Sequence, residues 1–154
     1  MGPLLFLIFI NDLPDATSFY VKLFADDTFL CTQSKSFVEL ESNVNVELGK
    51  VYTWLASNKL TLNIDKSKFM IVSKKRVIPD LRICLNKTPL LSCDSYKYLG
   101  VHIDKNLDWK SHVEYITSKI SKSCGALAKL RHCVNTETLV NVYNAIVNSI
   151  FATE

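Results

Sequence analysis

The 154-residue sequence holds five cysteines, an odd number, and none forms a C-x-x-C pair. That excludes a closed disulfide framework and argues against a zinc knuckle, whose ligands come closely paired. Reduced, mostly buried thiols are expected, as in a cytoplasmic or nuclear protein. Long apolar runs are also missing. The longest, Leu4 to Ile10, has seven residues, whereas a membrane span needs about twenty. No basic segment precedes it and no small-residue cleavage site follows, so neither a signal peptide nor a membrane anchor is expected. Glycine and proline number four each, which leaves no room for a flexible linker, and no internal repeat is present.

What is present fits a packed globular chain: 48% of residues are hydrophobic. The net charge of +3 is unevenly spread. Residues 1–58 carry three Lys and seven Asp or Glu, and residues 59–154 carry fifteen Lys or Arg and eight Asp or Glu. A basic half beside an acidic one marks a possible nucleic-acid surface.

Pro3 before the apolar run and Pro14 after it are helix punctuation, predicting a short buried helix over 4–12. The run starts almost at Met1 without a polar lead-in, so the sequence is expected to open inside a domain. Residues 18–33 carry two aromatic and β-branched runs around Asp26-Asp27, the pattern of a hairpin with these two residues as its connection. Ser36 with Glu39 reads as a capping box. Leu40, Val44, Leu48, Val51 and Leu55 then recur at helical spacing, predicting a helix over roughly 37–57 that Asn58 ends. Alternation at Leu60, Leu62 and Ile64 and the apolar stretches at 69–72, 81–85, 90–91 and 96–103 predict short strands. Lys74, Lys75 and Arg76 form a basic loop between them. Beyond residue 105 helical spacing returns, over 109–131 and again from Leu139 to Ile150. Trp54 and Trp109 are expected to be core anchors.

Two adjacent carboxylates at the end of apolar strands repel each other, and a divalent cation offsets that cost. Hard carboxylate oxygens are the ligands Mg²⁺ selects. The plain alternative is a solvated turn.

The string Phe24-Ala25-Asp26-Asp27-Thr28 resembles the catalytic hairpin of reverse transcriptases from non-LTR, jockey-like retrotransposons. Further segments are similar to that family in the same order: Gly2 to Pro14, Trp54 to Lys68, Lys97-Tyr98-Leu99-Gly100-Val101, and Leu107 to Val113. The resemblance spans essentially the whole chain. It implies an α+β fold: over 1–104, part of a polymerase palm with an antiparallel sheet and packed helices; over 105–154, part of a helical thumb. It implies catalytic roles for Asp26, Asp27 and Lys66, with Asp26 and Asp27 holding Mg²⁺ and Lys66 near the triphosphate. Phe24, Ala25 and Asn63 would support that site. Tyr98, Leu99 and Gly100 would seat the primer, and Lys74, Lys75 and Arg76 would meet nucleic-acid phosphates. The implied partners are an RNA template, a DNA primer and deoxynucleoside triphosphates. The family's other catalytic Asp would fall before Met1, so this chain alone is expected not to polymerise. The alternative is a non-catalytic retroelement relic, or a module that only binds nucleic acid.

Overall fold

The computed structural model describes residues 2–150; Met1 and residues 151–154, the end of the expected thumb, lie outside the described residues. The architecture is mixed α and β. Helix α1 (Gly2–Ile10) leads through a 3-10 turn (Leu13–Ala16) into the antiparallel strands β1 (Tyr20–Phe24) and β2 (Asp27–Cys31). Helix α2 (Phe37–Ser57), a second 3-10 turn (Ile64–Lys66) and the two-residue strands β3 (Lys68–Phe69), β4 (Cys84–Leu85), β5 (Thr88–Pro89) and β6 (Leu91–Ser92) follow. Then come β7 (Ser95–Tyr98), β8 (Val101–Asp104), α3 (Lys110–Leu130), α4 (Thr136–Tyr143) and a π-turn (Asn144–Asn148). The chain divides into two compact units, one of Met1–Phe69 with Lys75–Ser92 and one of Met70–Lys74 with Cys93–Glu154.

In the first unit the buried apolar residues are Ile10, Leu13, Phe19, Leu48, Val51, Leu55, Leu81, Ile83 and Leu85. The spacing of Leu48, Val51 and Leu55 puts them on one face of α2. Asn45, also on α2, donates to the Arg82 carbonyl at 2.9 Å and accepts from the Cys84 N–H at 2.8 Å, so its amide acts as a short strand for the β4 segment. The helix ends as expected at Asn58. The Leu60 N–H reaches back to the Leu55 carbonyl at 2.9 Å and the Lys59 N–H to the Ala56 carbonyl at 3.1 Å, with Lys59 in the left-handed region (φ 56°). That is a Schellman end, which most often uses glycine at this position. The helix start differs from the expected capping box. Ser36 makes no side-chain cap, and the Glu39 carboxylate instead accepts from the Ser34 hydroxyl at 2.7 Å.

The helix predicted at the N-terminus is present, but it is not buried. Among its residues only Ile10 is buried, and Leu4, Leu5, Leu7, Ile8 and Phe9 are all exposed. The flanking prolines mark a helix here, but burial needs a partner surface, and most of this run is left exposed among the described residues. The predicted strands are also shorter than expected. Leu60 and Leu62 lie in irregular backbone, and the 69–72 stretch contributes only Phe69 to a strand, which pairs in parallel with Ser92. In place of one antiparallel sheet there are four separate pairs, β1–β2, β3–β6, β4–β5 and β7–β8, of which β3–β6 is parallel.

In the second unit the single strand expected over 96–103 is a tight hairpin. Tyr98 pairs with Val101, and Leu99-Gly100 turn between them with φ 49° and 95°. Two consecutive left-handed residues are what a two-residue hairpin turn requires. Strand β8 packs against α3. Neither α3 nor α4 buries a residue, and the buried members of this unit are Asp104, Val147 and Ile150. Trp109, expected in the core, is 52% exposed and caps α3 in the left-handed region (φ 61°). The cysteines are also less buried than expected: Cys31, Cys124 and Cys133 are exposed, and Cys84 and Cys93 half-buried. No helix among the described residues is long and apolar enough to cross a membrane.

Candidate functional site

Strands β1 and β2 pair in register from Tyr20 with Cys31 to Phe24 with Asp27. The turn is therefore Ala25-Asp26, one residue earlier than the sequence pattern suggested, and Asp27 is the first residue of β2. Ala25 takes the left-handed conformation that opens the turn (φ 51°). A small side chain tolerates this better than a branched one, at a cost of roughly 1–2 kcal/mol relative to glycine. Both carboxylates are exposed. The strands alternate strictly between exposed and half-buried positions. Val21, Leu23, Thr28 and Leu30 share one face, and Tyr20, Lys22, Phe24, Asp27, Phe29 and Cys31 share the exposed one. Lys22 lies 5.0 Å from the Tyr20 ring on that exposed face.

The root of this hairpin is held by a residue that sequence reading passed over. Glu47 on α2 is only 9% exposed. One of its oxygens, Oε2, accepts from the Thr17 hydroxyl at 2.8 Å and from the Ser18 N–H at 2.7 Å. The other, Oε1, accepts from the Lys50 ammonium at 2.6 Å. The hydrogen bond from Lys50, then those from the Ser18 N–H and the Thr17 hydroxyl, hold its carboxyl down at about 2, below the ordinary value of 4.5. A signal was present in the sequence: Glu47 stands three residues after Val44 and four before Val51, inside the apolar stripe of α2.

The other expected site residues gather in small local groups. Asn63 accepts from the Lys66 N–H at 3.2 Å through its side chain, and its carbonyl accepts from the Ser67 hydroxyl at 2.8 Å. These two bonds shape the 3-10 turn that presents Lys66, which is exposed. In the basic loop, Lys75 places its ammonium 4.8 Å from the Phe37 ring at the start of α2, and Lys74 and Arg76 are exposed. Leu99 and Gly100 form the turn of the second hairpin, with Tyr98 half-buried beside it.

Around that second hairpin lies a cluster of basic and aromatic residues. The His102 and Tyr115 rings meet tilted at 41°, with centroids 4.7 Å apart. Lys97 donates to the Tyr115 hydroxyl at 3.0 Å, and the ammonium groups of Lys97 and Lys119 lie 4.6 and 5.6 Å from the Tyr115 ring. The His102 N–H donates to His112 Nδ1 at 3.3 Å, while His102 Nε2 is buried without a hydrogen-bond partner. Asp104 closes the strand. Its Oδ1 accepts from the Asn106 and Asp108 N–H groups at 3.0 and 3.3 Å, and its buried Oδ2 has no partner.

A hollow of about 370 Å³ in the first unit lies at the C-terminal end of α2, lined in part by Tyr52, Leu55, Lys59, Leu62 and Leu85. Its lining includes neither Asp26, Asp27 nor Lys66, and the carboxylate pair stands on an exposed turn.

The sequence model of the family described as reverse transcriptase (RNA-dependent DNA polymerase) matches residues 1–103. The chain belongs to the reverse transcriptase family. Among curated relatives, the RNA-directed DNA polymerase from mobile element jockey of Drosophila melanogaster is 24% identical over 160 residues, and that of Drosophila funebris 26%. Each alignment takes in 96% of this chain and 17% of the relative. The Pol polyprotein from type-1 retrotransposable element R1 2 of Nasonia vitripennis is 23% identical over 139 residues, 84% of this chain and 33% of that protein. The chain thus spans about a sixth of the length of the two jockey polymerases it matches. It corresponds to a part of a retrotransposon reverse transcriptase. No solved structure matches it.

The carboxylates suit a divalent cation in chemical kind, being exposed hard oxygen donors on adjacent residues. They supply only part of a coordination sphere. Among the described residues no cluster of three or more His, Cys, Asp or Glu is placed to hold a metal ion.

Proposed function

We propose that this chain is part of an RNA-directed DNA polymerase, with residues 1–104 forming part of the palm and 105–154 part of a helical thumb. The observation that carries this reading is the tight antiparallel hairpin that presents Asp26 and Asp27 to solvent. In the complete polymerase Asp26 and Asp27 hold Mg²⁺, with Asp26 the more direct ligand. When bound, the cation would supply positive charge to the attacking 3′-hydroxyl and the departing pyrophosphate. The chain's own residues do the rest. Ala25 sets the turn, and Phe24 on β1 pairs with Asp27 across it. Asn63 shapes the turn from which Lys66 offers its charge to the triphosphate of an incoming deoxynucleoside triphosphate. The left-handed Leu99-Gly100 turn, with Tyr98, brings bare backbone toward the primer strand. Lys74, Lys75 and Arg76 contact phosphates of the RNA template or DNA primer.

By itself the chain does not extend a primer, because two carboxylates leave the cation under-coordinated. Losing one well-placed electrostatic group costs roughly a hundred- to a thousand-fold in rate. The test is primer extension by purified residues 1–154 with Mg²⁺, an RNA template and an annealed DNA primer. Template-dependent extension that Asp26→Asn abolishes overturns the claim of incompleteness while supporting the polymerase reading. Nucleic-acid binding is tested separately with an RNA–DNA hybrid. Affinity is expected to fall by at least about tenfold between 50 and 200 mM salt, and binding indifferent to salt overturns the assigned phosphate contacts.

A further inference from the structure

We infer that Glu47 is a positioning residue for the Asp26-Asp27 turn, tying the root of the β1–β2 hairpin to helix α2 through Thr17 and Ser18. The inference rests on the reading of the Asp pair as a cation site and assigns it a support that lies outside the hairpin.

The geometry is specific. Thr17 and Ser18 lead through Phe19 directly into β1, and both donate to the same Glu47 oxygen. The Thr17 hydroxyl also accepts from the Phe19 N–H at 3.3 Å, which carries the tie to the residue before the strand. Phe19 itself is buried, and the 3-10 turn at Leu13–Ala16 packs against both α2 and β1. The hairpin root is thus fastened by an apolar contact and a charged one. From that root the five-residue strand reaches about 16 Å to the turn. A tilt of a few degrees at the root therefore displaces the carboxylates by about an ångström, more than the roughly 0.5 Å that a preorganised site tolerates. The apolar contacts of Leu13 and Phe19 are non-directional and leave room for such rocking. A carboxylate that fixes two donors at 2.7 and 2.8 Å, and is itself oriented by Lys50, opposes it. Glu47 and Asp104 are the buried charged residues among those described. Placing a charge on the apolar stripe of a helix is costly unless it is fully bonded, and the bonds here run to the hairpin root.

The experiment uses the whole chain, labelled with ¹⁵N, and Mn²⁺ as a paramagnetic probe of the Asp26 and Asp27 amides. Glu47→Gln puts an amide NH₂ where one carboxylate oxygen accepts. It is expected to weaken Mn²⁺ binding at the turn about fivefold, because apparent affinity falls with the fraction of molecules in the competent arrangement. The β7–β8 resonances should stay in place. Thr17→Val removes one of the two donors without changing side-chain volume and should act in the same direction, less strongly. This second variant keeps the inference testable if Glu47→Gln fails to fold. Unchanged Mn²⁺ affinity in a folded variant overturns the inference. If the wild-type chain shows no Mn²⁺ broadening at Asp26 and Asp27, the cation reading fails on its own. Amide exchange over residues 20–31 then decides the positioning role: faster exchange in Glu47→Gln, measured against β7–β8, supports it, and equal exchange overturns it.

Discussion

The hairpins at residues 20–31 and 95–104 are built alike and held differently. Each is a pair of antiparallel strands joined by a two-residue turn, and an isolated hairpin of this size is marginal in water. The first is fastened at its root, by Leu13, Phe19 and the Glu47 carboxylate, and its outer face shows Tyr20 and Phe24 to solvent, each 60% exposed. The second is fastened along its length. Strand β8 lies against α3, with the His102 ring in tilted contact with Tyr115 and Lys97 bonded to the Tyr115 hydroxyl. The first hairpin leaves its turn and one face open to solvent, with only the face of Val21, Leu23, Thr28 and Leu30 half-buried; the second is packed on a helix through β8. The carboxylate pair sits on the first, whose precision depends on a few root contacts.

The largest expected effect tests that root. Leu13 is 1% exposed. Leu13→Ala should cost about 2–5 kcal/mol in thermal or urea unfolding of the first unit, and should speed amide exchange in β1–β2 while sparing β7–β8. Equal loosening of both hairpins would break the distinction drawn here. The mirror experiment is Tyr115→Ala, which removes the ring against which β8 rests and two nearby ammonium contacts. About 2 kcal/mol is expected, with the loss confined to β7–β8 and α3.

Gly100→Ala comes next. At φ 95° a side chain is strained whatever the space around it, and destabilisation of about 1–2 kcal/mol is expected, read as faster exchange at Tyr98 and Val101. A pH effect belongs to the first hairpin. The Glu47 carboxyl is lowered to about 2 from an ordinary 4.5. Its stabilisation is therefore complete above pH 4.5 and is lost as pH falls from there toward 2. The Ser18 amide proton, which donates to Glu47, should shift with a midpoint at about pH 2, and Glu47→Gln should remove the shift. The smallest effect is Ala25→Gly. It relieves the left-handed strain at the turn but raises unfolded-chain entropy, for a net gain of about 0.5 kcal/mol. A loss of stability would show that Ala25 is not strained.

Residues near in sequence determined most of the helices and the first hairpin. The apolar period of α2 placed its ends at Phe37 and Ser57, and that of α3 placed it within a residue of 109–131, because a helix closes its hydrogen bonds within four residues. The string Phe24-Ala25-Asp26-Asp27 between β-rich runs was enough for a hairpin, though not for its turn, which is Ala25-Asp26 rather than Asp26-Asp27. The order of motifs was enough for the family.

What depended on distant residues was decided only by the tertiary structure. The apolar pattern of residues 4–10 was right for a helix and silent on what covers it. The stretch 96–103 read as one strand because Leu99 is apolar, yet it folds back at Leu99-Gly100 to pair with itself. The place of Glu47 in the apolar stripe of α2 marks it as unusual but does not say what bonds it. Its partners, Thr17 and Ser18, lie 30 and 29 positions away, and the free energy of a charge depends on the groups that surround it in space, which no local pattern records.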